Sequence, residues 1–279
     1  MFIWIASYPK SGNTMIRAML ASYFFTEEGN FNFDLIKNIK QFPETELFKK
    51  IGVDIKNEKE VIKSYIKVQE SFNIKKSTQF LKTHSYLFNI DNHPFTNLDN
   101  SLGVIYVVRD PRTVVVSSSN HNSKTHEDSI EDMIKGRILG DIKKNEVIAY
   151  PGTWGGNFNS WKSFKAIDKY LLIKYEDLVG DKEKIFHKIL EFIHKLKKVD
   201  FILDKKKFQR TIDSTAFEVM QKMESEVGFS ESMTDKKTGK KIKFFNLGEK
   251  NDWRKSLDIN LQKKLQKSFE KEMLELSYL

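Results

Sequence analysis

The sequence contains no cysteine, and none of its apolar runs approaches the length of a membrane span. The first absence excludes disulfides, thiolate nucleophiles, iron–sulfur ligation and the usual structural zinc sites, and it leaves the redox compartment open. A membrane-spanning helix needs ~20 consecutive apolar residues. The first residues, 1–6, are apolar without a basic leader and are too short for a signal peptide. We therefore expect a soluble, cytoplasmic protein with no membrane span.

The charge is unbalanced, because 47 lysine and arginine residues stand against 38 aspartate and glutamate residues, a formal net charge of +9. Such an excess suits polyanionic partners, namely nucleotides, nucleic acid, acidic lipid or an acidic glycan. Much of the excess is local, at Lys205, Lys206, Lys207, Lys236, Lys237, Lys240, Lys241 and Lys243. Because solvated lysine-rich loops are common, charge alone is weak support for any of these partners.

Short apolar runs alternate with helical patterns along the 279 residues, which predicts one α/β domain over residues 1–279 with a parallel β-sheet flanked by helices. Buried strands are predicted at 2–6, 79–82, 102–108 and 170–173. Helices are predicted at 15–21, at 183–197 with Asp181 as N-cap, and at the end of the chain, where apolar residues recur every four positions from 257 to 273. Two excursions from the sheet are expected, a helical one at about 26–76 and a lysine-rich one at about 204–243.

The loop at residues 7–14 joins the first predicted strand directly to the first predicted helix. Backbone amides of such a loop and the positive end of the helix converge on one point, which favours an anion. Lys10 adds a mobile charge and Gly12 allows close approach, and further donors are Ser11, Asn13 and Thr14. The Gly-Lys-Ser/Thr ending of ATP and GTP hydrolases is absent, which argues against that class. The alternative is a turn without a ligand, which the position between strand and helix disfavours.

This loop resembles the 5'-phosphosulfate loop of the cytosolic-type sulfotransferases, which use 3'-phosphoadenosine-5'-phosphosulfate (PAPS) as donor and whose loop reads Tyr-Pro-Lys-Ser-Gly-Thr-Thr-Trp. The chain matches from Tyr8 to Gly12 and again at Thr14, with Asn13 for the first threonine and Met15 for the tryptophan. Asn13 keeps a donor, whereas Met15 lacks the indole expected against the adenine. The resemblance implies a P-loop-like phosphosulfate-binding loop.

A second anion site is predicted at Arg109, which directly follows the apolar run 103–108. Its guanidinium offers forked donors to a phosphate, and Ser117, two helical turns further along, adds a hydroxyl. The sulfotransferases that the chain resembles carry an arginine and a serine with the same eight-residue spacing, and there the pair binds the 3'-phosphate. The alternative for Arg109 alone is a surface ion pair at a strand end.

His84 is the candidate general base, because it closes the predicted strand at 79–82 and so lies at the carboxyl edge of the sheet. An unperturbed histidine pKa of about 6.5 suits a base near neutral pH. The run Lys82-Thr83-His84 also resembles the segment in which the small-molecule branch of the family carries its catalytic histidine. A structural histidine, or a carboxylate base such as some glycan-modifying members use, remains the alternative.

Two later segments extend the resemblance to about Trp253. In Tyr175-Glu176-Asp177 the tyrosine is the counterpart of the residue that reaches the adenine, and Gly248 keeps the register of the family's Arg-Lys-Gly-x-x-Gly-Asp-Trp motif. The Arg-Lys pair that grips the 3'-phosphate is replaced by Asn246-Leu247, so a lysine from 240–243 or Arg254 is expected to substitute. Trp154 and Trp161 either shape the acceptor mouth or pack in the core.

The residues and the resemblance together predict an enzyme that transfers a sulfuryl group from PAPS to an acceptor hydroxyl or amine by in-line displacement. Lys10, helped by Lys82, would neutralise charge on the bridging oxygen while His84 removes the acceptor proton. No metal is required, no nucleic acid partner is expected, and the acceptor (small molecule, lipid or glycan) and the oligomeric state are left open. The alternatives are a P-loop-like nucleotide or small-molecule kinase and a non-catalytic nucleic-acid-binding module.

Overall fold

A computed structural model describes residues 1–73, 77–235 and 238–279, and its centre is a parallel sheet. The strands are β1 (Phe2–Ser7), β2 (Lys40–Gln41), β3 (Gln79–Thr83), β4 (Asn89–Ile90), β5 (His93–Pro94), β6 (Ser101–Val108), β7 (Arg137–Leu139), β8 (Ala149–Gly152) and β9 (Tyr170–Lys174). Five of them form the sheet in the order β2-β3-β1-β6-β9, and each neighbouring pair is parallel. The other strands form two antiparallel pairs, β4 with β5 and β7 with β8. The predicted α/β fold with a parallel sheet is confirmed.

Helices cover both faces of the sheet. They are α1 (Asn13–Phe25), α2 (Thr45–Lys50), α3 (Glu58–Lys63), α4 (Tyr65–Phe72), α5 (Pro111–Asn122), α6 (His126–Lys135), α7 (Trp154–Trp161), α8 (Tyr175–Gly180), α9 (Lys182–Lys197), α10 (Lys205–Ser214), α11 (Phe217–Val227), α12 (Trp253–Ser256), α13 (Ile259–Ser268) and α14 (Glu270–Glu275). Short 3-10 helices lie at Phe33–Asn38, Ile142–Lys144, Lys162–Ile167 and Gly248–Lys250.

The central strand β1 shows why its sequence is continuously apolar. Side chains of a strand alternate between faces, and Trp4 packs in the core on one face while Ile3 and Ile5 pack in the core on the other. All three are fully buried. Helices α1, α9 and α10 cover the isoleucine face, and α5, α7 and α13 contribute to the core on the tryptophan face.

The four predicted strands correspond to β1, β3, β6 and β9, and each extends by one residue at an end. The predicted N-cap is also present, because the Asp181 side chain accepts a hydrogen bond from the Lys184 amide at 3.0 Å. The prediction of a single helix at the end of the chain is wrong. The chain is extended at Leu257, Asp258 caps a new helix, and a further break falls at Phe269 between α13 and α14. The four-residue spacing still places Leu265, Phe269 and Met273 in the core, so the periodicity indicated burial correctly but not helix continuity.

The two excursions contain structure that the sequence patterns did not indicate. The first carries β2, an edge strand of the sheet, in addition to α2, α3 and α4. The second carries α10 and α11 and then returns towards the sheet, while Lys236 and Lys237 lie outside the described residues. Within the described residues no helix is long and apolar enough to cross a membrane.

Trp154 and Trp161 are core residues and do not line an acceptor mouth. Trp161 is fully buried, its ring centroid lies 6.1 Å from that of Trp4 and 5.7 Å from that of Phe95, and its indole N–H donates to the Ser85 carbonyl at 3.1 Å. Of the two readings of these tryptophans, core packing is the one that the structure shows.

We expect Trp161→Ala to lower the free energy of unfolding by about 3–5 kcal/mol, because it removes a large buried side chain and leaves a cavity. Chemical denaturation followed by circular dichroism measures this change. Ile202→Ala is the control, since Ile202 is 84% exposed and its truncation should change stability by less than ~0.5 kcal/mol. Equal effects of the two substitutions would contradict the core position of Trp161.

Candidate functional site

The carboxyl ends of the parallel strands meet at one edge of the sheet, and a cavity of about 380 Å³ lies there. Lys10 follows β1, His84 follows β3, Arg109 follows β6 and Tyr175 follows β9, and all four line the cavity. Because β1 lies between β3 and β6 in the sheet, its loop lies between His84 and Arg109. This is the position at which parallel α/β sheets bind ligands.

Most of the site residues expected from the sequence line this one cavity: Lys10, Gly12, Asn13, Thr14, Lys82, His84, Arg109, Ser117, Tyr175 and Gly248. Ser11 does not. Its side chain is fully buried, and within the described residues its Oγ has no hydrogen-bond partner. The expectation that the Ser11 side chain donates to a ligand is therefore not supported. Its backbone amide is the group of Ser11 that could still contact an anion.

The loop conformation explains how its amides become available. Lys10 and Gly12 both have left-handed backbone angles, with φ of 67° and 99°. Gly12 occupies the N-cap position of α1 without a side-chain cap, so the first amides of the helix are open to an anion. A Cβ atom at Gly12 would lie 2.3 Å from Cδ2 of Tyr175, so this close approach requires glycine.

Asn13 differs from its expected role as a ligand donor. Its Nδ2 donates to the Ile5 carbonyl at 2.9 Å and to Ser7 Oγ at 3.2 Å, which ties the start of α1 to β1. The amide donors are thus occupied within the protein, and Asn13 shapes the loop. The Thr14 hydroxyl is also engaged within the protein, since its Oγ1 donates to Glu231 at 3.2 Å.

Arg109 is held over the loop. Its guanidinium stacks on the Tyr175 ring at 4.1 Å from the centroid, and its Nη1 donates to the Lys10 carbonyl at 3.3 Å. Its Nε is buried without a hydrogen-bond partner within the described residues, and burial lowers its pKa from the usual value. A buried guanidinium with an unused donor is costly unless an anion approaches it.

His84 is fixed in one tautomer by its surroundings. Its Nδ1 lies 2.9 Å from the Ser7 carbonyl, which can only accept, so Nδ1 carries the proton and Nε2 has the free lone pair in the neutral ring. Burial, followed by the nearby Lys82 charge, lowers the pKa of His84 to about 3. The expectation of an unperturbed pKa is wrong, because a desolvated imidazole next to a cation resists protonation.

The two lysines of the site are also perturbed. Burial lowers the pKa of Lys10 to about 7, with Glu231 opposing this shift and Arg109 and Lys82 adding to it. The Lys10 ammonium lies 3.9 Å from the ring centroid of Phe244. Burial also lowers the pKa of Lys82, whose side chain is only 9% exposed.

Glu231 is a central residue of the cavity that the sequence analysis missed. Its carboxylate accepts from Arg17 at 2.6 Å, from Thr14 at 3.2 Å and from Lys82 at 3.4 Å. Burial would raise its pKa, but the Lys82 and Arg17 charges hold it well below the usual range. A carboxylate therefore satisfies the donors that the loop and β3 present to an anion. No sequence motif marked it, because it lies in the weakly patterned second excursion.

The candidates that could replace the missing Arg-Lys pair differ in whether they line the cavity. Asn246, Leu247 and Lys243 line the cavity. Arg254 does not, and its guanidinium stacks on Trp253 at 4.4 Å with its side chain 72% exposed. Lys243 is therefore the better candidate of those that the sequence offered. Within the described residues no group of three or more acidic or histidine side chains is arranged to hold a metal ion.

We expect Glu231→Gln to lower the free energy of unfolding by about 1.5–3 kcal/mol, because Arg17 and Lys82 would keep buried charges without a carboxylate. Chemical denaturation near neutral pH measures this effect. Glu226→Gln is the matched control, since its ion pair with Lys222 spans 3.8 Å between side chains that are 78% and 59% exposed, and such pairs contribute about 0–1 kcal/mol. Equal small losses for both variants would contradict a structural role for the Glu231 cluster.

Comparison with known proteins gives one consistent family. The sulfotransferase domain family matches residues 2–277. Rat Sulfotransferase 2A2 is 26% identical over 61% of this chain and 56% of its own length, so that match spans little more than half of the relative. Human Sulfotransferase 1E1 is 23% identical over 97% of this chain and 83% of its own length.

The fold is also found in solved structures. Mouse sulfotransferase SULT7A1 complexed with PAP, 3'-phosphoadenosine-5'-phosphate, has a TM-score of 0.55 at 18% identity. The match covers 98% of this chain and 84% of that one. Retinol dehydratase in a complex with retinol and PAP has a TM-score of 0.61 at 18% identity, covering 98% and 81%. The kinase and nucleic-acid-binding alternatives are not favoured by these matches. The chain belongs to the sulfotransferase family.

Proposed function

We propose that this sulfotransferase binds PAPS in the cavity at the strand ends and transfers its sulfuryl group to an acceptor hydroxyl. The observation that carries the proposal is the arrangement of Lys10, His84 and Arg109 at the ends of three adjacent parallel strands around one cavity. The Glu231 carboxylate supports it, because it takes the hydrogen bonds of Thr14 and Lys82 that an anionic ligand would otherwise accept.

The residues present fit a donor with two separate anionic ends. The amides of the 7–14 loop, including that of Thr14, would hold the phosphosulfate together with Lys10, since they converge at the N-terminus of α1. Arg109 and Ser117 would hold the 3'-phosphate, with Lys243 in place of the missing Arg-Lys pair. Tyr175 and Gly248 would contact the nucleoside, because both line the same cavity.

The chain's own groups suit an in-line displacement. PAPS supplies a sulfuryl group attached to a phosphate that leaves. His84 lines the cavity with Nε2 unprotonated, and we propose that this nitrogen takes the proton of an attacking hydroxyl. Lys10 and Lys82 line the same cavity, and we propose that they neutralise the negative charge that grows on the bridging oxygen. We propose that the reaction needs no divalent metal, and turnover that is unchanged by EDTA is the corresponding expectation.

We propose a hydroxyl as the accepting group, and the same base could also deprotonate an amine. The acceptor's identity is a separate question from the donor site, because no sequence motif marks residues that would contact the acceptor. The cytoplasmic location expected from the sequence stays a prediction.

Binding of the product nucleotide tests the donor site. We expect 3'-phosphoadenosine-5'-phosphate (PAP) to bind far more tightly than AMP in calorimetry, because Arg109 is proposed to contact the 3'-phosphate. Arg109→Ala should weaken PAP binding by about 1.5–3 kcal/mol, the range of a hydrogen bond between charged groups, and should affect AMP little. Arg254→Ala is the control, since this exposed side chain does not line the cavity. Equal affinities of the intact protein for PAP and AMP would remove the donor assignment.

Turnover tests the base. We expect His84→Ala to reduce the rate of transfer by about 10²–10⁴-fold while PAP affinity stays nearly unchanged, because a general base acts on the acceptor proton and not on donor binding. A labelled-donor assay at saturating PAPS gives the rate, and calorimetry gives the affinity. His187→Ala is the control, since that side chain is 43% exposed on α9. Full activity of His84→Ala would transfer the base role to a carboxylate, and Glu231 is the one that lines the cavity within the described residues.

A further inference from the structure

The antiparallel pair β7 and β8 lies on the His84 side of the cavity. Its second strand is bonded to the segment that follows His84, since the Tyr86 amide donates to the Tyr150 carbonyl at 2.8 Å and the Tyr150 amide donates to Ser85 Oγ at 3.1 Å. Asn157 Nδ2 completes the connection by donating to the His84 carbonyl and to the Pro151 carbonyl, at 2.9 and 2.8 Å. Through its pairing with β8, strand β7 is therefore attached to the segment that follows the candidate base.

Arg137, the first residue of β7, lines the cavity and is not among the residues proposed to bind the donor. It forms no ion pair with a carboxylate within the described residues, and its Nε is buried without a hydrogen-bond partner. Its guanidinium is close enough to Tyr8 to oppose the rise that burial causes in the pKa of that phenol. Arg137 is partly buried, and a guanidinium without a carboxylate partner can bind an anionic group of a ligand through its forked donors.

The groups near Arg137 include neutral hydrogen-bonding side chains and also Asp132, whose charge acts on the neighbouring Tyr8 and whose ion pair is with Lys124. His121 lies nearby, and burial, followed by the charge of Lys10, lowers its pKa to about 4, so the ring is neutral near pH 7. Its Nδ1 is buried without a partner within the described residues. Three further polar residues that line the cavity are Gln41, Asn120 and Asn122. These side chains can form hydrogen bonds with hydroxyl groups of a ligand, while Leu139, Met233 and Phe244 line the same cavity with apolar surface.

Glu231 does not cancel the charge of Arg137. It is the carboxylate among the cavity residues, and its hydrogen bonds go to Arg17, Thr14 and Lys82. The cations that line the cavity are Lys10, Lys82, Arg109, Arg137 and Lys243. Under the proposed function all of these except Arg137 are matched to the phosphosulfate or the 3'-phosphate. The Arg137 charge is left for the acceptor.

We propose that Arg137 binds an anionic group of the acceptor, so that the acceptor is a hydroxyl-rich molecule bearing a carboxylate or a comparable anion near the hydroxyl to be sulfated. This inference rests on the proposed function, because it places the acceptor next to His84. It adds a specificity residue to the site and narrows the acceptor class to acidic, polyhydroxylated molecules, of which an acidic glycoside is the simplest representative.

A matched pair of ligands tests this inference. Phenyl β-D-glucuronide and phenyl β-D-glucoside differ in the carboxylate, and each is titrated into the full chain saturated with PAP, which keeps the anion out of the donor site. We expect the glucuronide to bind about tenfold to a hundredfold more tightly, the ratio that corresponds to a charge-assisted hydrogen bond. Arg137→Gln should reduce this ratio to about twofold, and Arg137→Lys should retain part of it.

The controls separate the possible failures. Lys135→Gln removes an exposed cation two residues away, whose ion pair is with Glu131, and should leave the ratio unchanged. PAP affinity and thermal melting of Arg137→Gln should match those of the unsubstituted protein. Equal binding of both glycosides, measurable binding of neither, or an unchanged ratio in Arg137→Gln would overturn the proposal. Failure of PAP itself to bind would instead overturn the proposed donor site.

Discussion

The parallel alignment of the central strands is the constraint on which the site depends. Parallel strands place all their carboxyl ends at one edge, so residues that are far apart in sequence, such as Lys10, Arg109 and Tyr175, arrive at one cavity. The position of β1 between β3 and β6 then places its loop between His84 and Arg109. No long-range pairing between these side chains is needed to assemble them, because the backbone hydrogen bonds of the sheet do so.

Gathering cations at one edge creates an electrostatic cost that the fold has to offset. Like charges that are buried together repel and lose hydration, so their pKa values fall unless a carboxylate is near. Glu231 takes this place for Arg17 and Lys82. Phe244 and Tyr175 help in a different way, because their ring faces contact Lys10 and Arg109. The second excursion is thus attached to the sheet through cations that line the proposed donor site or lie beside it.

The local parts of this arrangement were readable from the sequence, and the long-range parts were not. A strand followed by a glycine-containing loop and a helix is a contiguous pattern, which is why the strands, α1 and the positions of Lys10, His84 and Arg109 were predicted. Glu231 and Arg137 belong to segments with little apolar periodicity, and their places depend on tertiary contacts that no local pattern records. The break at Phe269 was missed for a related reason, since a buried face continues through a bend that the apolar spacing does not reveal.

Burial lowers the pKa of both Lys10 and His84, with different consequences for their charge near neutral pH. A pKa of about 7 means that Lys10 is only partly charged near neutral pH in the free protein, and an anion at the loop would raise that pKa and draw a proton onto the ammonium. His84, with a pKa of about 3, is neutral throughout this range and keeps Nε2 open. Desolvation therefore makes the charge of one group dependent on the donor while it holds the other in its basic form. Two titratable groups separated in this way suit the two proposed roles, charge neutralisation at the leaving oxygen by Lys10 and proton removal at the attacking one by His84.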